Sequence, residues 1–159
     1  MPNYNILSVF SNYIFISAVS SWMLAQIAKA IVNFVKNDGT KINNFLFGTG
    51  GMPSSHSAVV LSLFTSSIFQ YGFTSFEFAI TGILAMIVIR DATGVRFETG
   101  KQAKFLNKMV EEQANEEHIV LNKNDKFKEL IGHTPLQVFF GALLGIVVSS
   151  VLGIFMVIL

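Results

Sequence analysis

Two histidines, His56 and His133, each stand beside a proline where a polar stretch gives way to an apolar one. The first lies in Gly50-Gly-Met-Pro-Ser-Ser-His56 and the second in Gly132-His-Thr-Pro-Leu-Gln137. Proline suits the first turn of a helix, so both groups read as helix N-termini. Free backbone N–H groups and the helix dipole favour an anion there. Gly51 lets the backbone come close to a ligand, and Ser54 and Ser55 add hydroxyls. Lys29 and Lys36 follow another apolar stretch, and Arg90-Asp-Ala-Thr-Gly-Val-Arg96 closes a third. Two imidazoles, fixed cations and two anion-seeking helix ends suit a phosphoryl group. One histidine can attack phosphorus while the other protonates the departing oxygen.

The expected site therefore has His133, His56 and Gln137 as reacting or orienting groups. Lys29, Lys36, Arg96, Ser54, Ser55 and Gly51 are expected around the phosphate. Each also has a plainer reading. A histidine at a helix start is often only a cap, and Lys29 is placed to snorkel to an interface. Arg90 suits a membrane anchor, Asp91 a structural partner of Arg96 or Lys29, and His118 a solvated position. Cysteine is absent, and three histidines are too scattered for a metal cluster. No metal or other cofactor is expected.

These groups must be positioned by helices in a membrane. Of the 159 residues, 52% are hydrophobic and only 13% charged, and 16 are Phe. Mean hydropathy is +0.56. A soluble fold of this size has too little interior to hide such a surface. One domain, 1–159, is expected. The first apolar stretch, Ile6 to Ala28, carries no charge and has no basic segment before it, which suits a span rather than a cleaved leader. Ser57 to Phe73 and Phe78 to Ile89 make a hairpin of two shorter helices around Gly72–Ser75. Pro135 to Leu159 is the fourth span. Within the long polar stretch from Arg90 to Thr134, Thr99-Gly-Lys-Gln102 has the form of a capping box. Leu106, Met109, Val110 and Gln113 then recur on one helical face, as in an amphipathic helix on the membrane surface, over the site, or solvated. The fold class is an all-α membrane bundle of about four spans plus this helix.

At this point the sequence resembles a known family. Gly-Gly-Met-Pro-Ser-Ser-His-Ser, Asp-Ala-Thr-Gly-Val-Arg and Gly-His-Thr-Pro look like the divergent branch of the type-2 phosphatidic acid phosphatase and vanadium haloperoxidase superfamily, over about Trp22 to Gly145. The resemblance implies that His133 forms a phosphohistidine and His56 is the general acid. It also implies a lipid phosphate or diphosphate substrate and a bacterial plasma membrane. The wider superfamily reads Lys-x6-Arg-Pro, Pro-Ser-Gly-His and Ser-Arg-x5-His-x3-Asp. Here Lys29-x6-Lys36 lacks the arginine and proline, and Ser55 replaces glycine. Phe127 stands where the last motif has its arginine, which Arg96 can supply if 97–127 is an insertion. Gln137 replaces the aspartate. It can orient the histidine without adding charge, or only start the helix, since Thr134-x-x-Gln137 is itself a capping box.

The expected activity is thus a metal-independent lipid phosphate phosphatase. The alternatives are a binder or carrier of phosphorylated lipid and a structural subunit. Expected partners are the bilayer and a lipid phosphate, with further copies of the chain allowed; no nucleic-acid motif occurs. All 11 Lys and Arg fall in 29–55 and 90–134, and only Glu77 carries charge in the opposite turn. The positive-inside rule then puts both loops, and the site, in the cytoplasm. Cysteines introduced singly at Asn3 and Asn122 should label from opposite sides; labelling of both from one side would break the four-span topology.

Overall fold

The computed structural model describes residues 6–35, 51–116, 126–127 and 132–158. A short 3-10 turn, Ile6–Ser11, leads into α1 (Tyr13–Val35), α2 (Ser55–Tyr71), α3 (Phe76–Thr93), α4 (Val95–Glu116) and α5 (Pro135–Ile158). The described residues contain no strand.

Short polar side chains start the helices. Asn12 Oδ1 accepts the Phe15 N–H at 3.1 Å, and Ser75 Oγ accepts the Phe78 N–H at 3.1 Å. Each satisfies a donor the first turn leaves open. The α2–α3 hairpin turns at Gly72, whose φ of +79° is one that L side chains rarely adopt. Among the described residues three stretches are long and apolar enough to cross a bilayer: Tyr13–Val35, Phe76–Ala114 and Pro135–Phe155. α2 is shorter, 17 residues. It nonetheless runs beside α5 through the same layer, from Ser54 next to Gly141 to Phe69 next to Gly153.

The packing inverts that of a soluble bundle. Ser17, Ser21, Ala25, Ala58, Ser62 and Ser149 are buried, while Phe15, Met23, Ile83, Met86, Phe139 and Phe155 face outward. Lipid tails are as apolar as these side chains, so helices associate through small residues that allow close approach. The Ser17, Ser21 and Ser62 hydroxyls have no hydrogen-bond partner, whereas other buried hydroxyls are satisfied within their own helices. Ser67 Oγ donates to the Phe64 carbonyl at 2.8 Å, and Ser149 Oγ to that of Gly145 at 2.8 Å. Water is not needed for this. The chain is an all-α membrane bundle.

α2 is the central helix, packed on α5, α1 and α3. A Cβ on Gly141 would overlap the Ser54 carbonyl oxygen, and one on Gly145 would overlap that of Ala58. α1 runs the other way, and its Tyr13 hydroxyl donates to the Ser149 carbonyl at 2.6 Å. The starts of α2 and α5 therefore share one end of the bundle with the finish of α1.

Two sequence expectations need correction. The first apolar stretch, read as Ile6 to Ala28, breaks at the Asn12 cap and continues to Val35, so Lys29 lies inside a helix rather than at a loop. Thr99 does not begin a helix. Its Oγ1 donates to the Val95 carbonyl within α4 at 2.8 Å, and the break falls at Gly94 instead. Leu106 and Met109 of the expected stripe are exposed, as a face lying on a membrane surface would be, and the face that protein covers is that of Ala103, Asn107 and Ala114. The covered face receives the returning chain, because the Asn107 amide bonds both the carbonyl and the N–H of Phe127 at 2.9 and 2.8 Å.

In an exposed helix Gly→Ala stabilises by about 1 kcal/mol. At Gly145 the overlap with backbone should reverse the sign, leaving Gly145→Ala destabilised by roughly 1–3 kcal/mol. Val147→Ala, on the outward face of the same helix, should change little. Thermal midpoints in one detergent decide this, and a stabilised Gly145→Ala would contradict the contact.

Candidate functional site

The site grows out of the shared end of α1, α2 and α5 together with the α3–α4 junction. Along α1 the buried positions Ser17, Ser21, Ala25 and Lys29 recur every fourth residue, the spacing of one helix face. Lys29 ends this stripe with 5% of its surface exposed. Its aliphatic stem lies under Gly51, where an added Cβ would sit 3.2 Å from Cγ and 3.3 Å from Cδ. Gly51 also has φ +90°. Its glycine is thus required by backbone conformation and by the lysine beneath it.

Ser54 caps α2. Its Oγ accepts the Ser57 N–H at 3.4 Å and the Ser57 hydroxyl at 3.0 Å, and it is wholly buried. Its N–H donates to the Gln137 carbonyl at 3.0 Å, joining the start of α2 to the first turn of α5. Ser55 is also buried, while His56 next to it is exposed.

His133 arrives from the other side. Its N–H donates to the Ala92 carbonyl at 3.2 Å, docking it on the end of α3. Gly132 makes this approach feasible, because a Cβ there would fall 2.6 Å from Phe97 N and 2.8 Å from the Arg96 carbonyl carbon. The two imidazoles meet edge to face, with ring centroids 6.2 Å apart and planes at 76°. Residues 77 positions apart in the chain are thereby neighbours.

Charge around the pair is mostly positive. Burial first, then the charges of His56, Lys29 and Arg96, push His133 down from the usual 6.5 to about 4. It is therefore neutral at pH 7, with a lone pair available on its ring. Its Nε2 is buried and has no hydrogen-bond partner. Buried polar atoms are seldom left so, although the Ser17, Ser21 and Ser62 hydroxyls are too. Burial first, then the charges of Arg96 and Lys29, lower His56 as well, and Asp91 opposes them. Arg96 Nε lies 2.5 Å from Asp91 Oδ2 across the Gly94 break, both side chains about half exposed.

Gln137 takes the geometry of a capping box. Its Oε1 accepts the Thr134 N–H at 3.0 Å, and its own N–H donates to Thr134 Oγ1 at 3.4 Å. Lys29, Gly51, Ser54, Ser55, His56, Arg96, His133 and Gln137 thus gather at one end of the bundle. Lys36, His118 and the glycines before Gly51 lie outside the described residues. Arg90 is exposed. Among the described residues no three His, Cys, Asp or Glu side chains gather in one place.

Sequence reading missed the clamp that returns the chain to this end. Besides the Asn107–Phe127 bonds, Lys126 pairs with Glu111. A contact across 20 residues leaves no local signal. The polar Asn107 among buried alanines is its only trace.

A membrane bundle with a paired-histidine, cation-rich end is the class of protein these observations define. The chain belongs to the Divergent PAP2 family, whose model matches residues 10–148. It is 37% identical over 158 residues to a protein of Bacillus subtilis (strain 168) named as the uncharacterized membrane protein YuiD, covering 94% of this chain and 99% of that one. No solved structure matches it.

The depressed His133 has a direct consequence. Nitrogen-15 histidine NMR in a background with His56 and His118 changed to Gln should show a neutral ring at pH 5.5. Removing the His56 charge should raise the midpoint slightly without restoring 6.5, since burial is the larger cause. In the unmodified protein this histidine stabilises the fold fully above about pH 6.5, and that contribution is lost as the pH falls towards about 4. An ordinary midpoint near 6.5 would show that the ring is not buried as described.

Proposed function

We propose that the protein is a metal-independent phosphatase that hydrolyses a membrane lipid phosphate or diphosphate. The observation that carries this reading is the buried, unpartnered Nε2 of a neutral His133 beside His56. A protonated histidine has no lone pair to give; a neutral one among fixed cations can attack a phosphate drawn in by those cations. In the first step a His133 ring nitrogen bonds to phosphorus as the bond to the lipid oxygen breaks. His56 gives that oxygen a proton. In the second, water attacks the phosphohistidine, His56 takes up the water's proton, and the P–N bond breaks to release phosphate and restore His133.

Lys29 and Arg96 serve as counter-charges for the equatorial oxygens, with Arg96 standing in for the arginine that the superfamily has nearer its second histidine. Lys36, Ser54, Ser55 and Gly51 belong to the same proposed phosphate end. For Ser54 and Gly51 the supported roles are structural, as cap and as seat for Lys29. The substrate's tail would lie in the bilayer against the outward apolar face. The excess of Lys and Arg at this end supports a cytoplasmic orientation in a plasma membrane.

A second reading, a binder or carrier of phosphorylated lipid, is favoured by Gln137. Its oxygen is occupied by the Thr134 N–H, so it brings no carboxylate to steady a charged His133. Phosphate release from a panel of lipid phosphates in detergent, with and without chelator, separates the two. As an enzyme the protein should turn over in chelator, and His133→Ala should lower turnover by roughly a thousandfold or more while largely keeping phosphate affinity. His56→Ala should cost about a hundredfold or more, most for the poorest leaving groups. Gln137→Asp should raise the rate if this side chain can reach the nucleophile and change only stability if it is purely a cap. Binding without release, unrescued by Gln137→Asp, would establish the carrier.

A further inference from the structure

The site has a carboxylate that the proposed mechanism leaves unused. Asp91 lies in the last turn of α3, and Arg96 in the first turn of α4. Between them Gly94 breaks the helix, where a Cβ would be 2.6 Å from the Arg90 carbonyl oxygen. The break turns Arg96 Nε to within 2.5 Å of Asp91 Oδ2. A guanidinium is a planar fork with five N–H donors, and a carboxylate at its Nε leaves the terminal amino groups facing away from that contact. The groups that bear on His56 come from every element at this end: Lys29 from α1, Asp91 from α3, Arg96 from α4 and His133 before α5. Only Asp91 among these is negative.

An acid beside an anion site repels the anion, so its presence needs a reason. Stability is a poor one, because ion pairs this exposed contribute little. The superfamily's carboxylate position offers no alternative acid here, since it holds Gln137 in a helix cap.

We propose that Asp91 is a positioning residue for the anion site: it holds the Arg96 guanidinium by its Nε edge, so that the terminal amino groups are presented to a phosphoryl oxygen next to the two histidines. This rests on the phosphate-binding part of the function proposed above, not on turnover. The sign of its effect is diagnostic. If Asp91 merely neighbours the site, removing its charge strengthens anion binding. If it aims Arg96, removing its charge weakens binding in spite of the lost repulsion.

The test is a double-mutant cycle on the purified full chain in detergent, with vanadate binding as the readout. Asp91→Asn should weaken vanadate binding by about fivefold to tenfold when Arg96 is present, and in Arg96→Ala it should leave binding unchanged or strengthen it by the lost repulsion, the signature of coupled partners. Asp91→Glu, which keeps the charge on a longer arm, should recover part of the loss. Thermal midpoints should stay close to that of the unmodified protein, which separates positioning from damage to the fold. Tighter or unchanged binding in Asp91→Asn, or losses that simply multiply in the double variant, would overturn the proposal. Failure of the unmodified protein to bind vanadate would remove the anion site itself and the proposal with it. Vanadate binding without phosphate release would count against the phosphatase reading alone.

Discussion

Everything at the histidine end depends on how closely α2 and α5 approach. Gly141 and Gly145 leave no room for a Cβ between the helices, and the Ser54 N–H bonds the Gln137 carbonyl across the same seam. Two parallel helices pressed together in this way must bring their starts together. Since both starts carry a histidine, the packing of the membrane layer sets the distance between His56 and His133. A bundle held apart by larger side chains would keep the same motifs and lose the pair.

The same end concentrates positive charge where the chain can least shield it. Lys29 is almost entirely buried, and it is kept there by the small-residue stripe that runs up α1. Its charge, with those of His56 and Arg96, adds to burial in holding His133 neutral. Cations that discourage protonation of a histidine also attract an anion to it, so one arrangement would serve both the proposed nucleophile and the proposed phosphate site. Against this stands Gln137, whose capping geometry fits a helix start better than a catalytic relay. Membership of the Divergent PAP2 family does not by itself assign a chemistry, which must be argued from these side chains.

Much of this was legible in the sequence, for physical reasons that differ by residue. Uncharged stretches and the Gly72 turn gave three of the spans, because a bilayer demands continuous apolar length. α5 begins at Pro135 as expected. The histidine groups were legible because helix starts carry proline and short polar residues. The end of α1 was not, because helical geometry persists through a lysine when its stem can pack, as Lys29 does under Gly51. For α4, periodicity located an apolar face without saying whether protein or bilayer covers it. The Asn107–Phe127 clamp and the Asp91–Arg96 pair depend on chain reversal, which local pattern does not encode. Lys36, which the Lys-x6-Lys spacing singles out, lies outside the described residues.

The proposed function requires that the two helix starts and their cations form one oxyanion site. Tungstate soaked into crystals of the full chain tests it most directly, because anomalous scattering locates tungsten without reference to any assumed role. One strong peak is expected between the His56 and His133 rings, within reach of Lys29 and Arg96, retained in crystals of His133→Ala and weakened in those of Arg96→Ala. A peak elsewhere, or rings too far apart to share one tungstate, would contradict it.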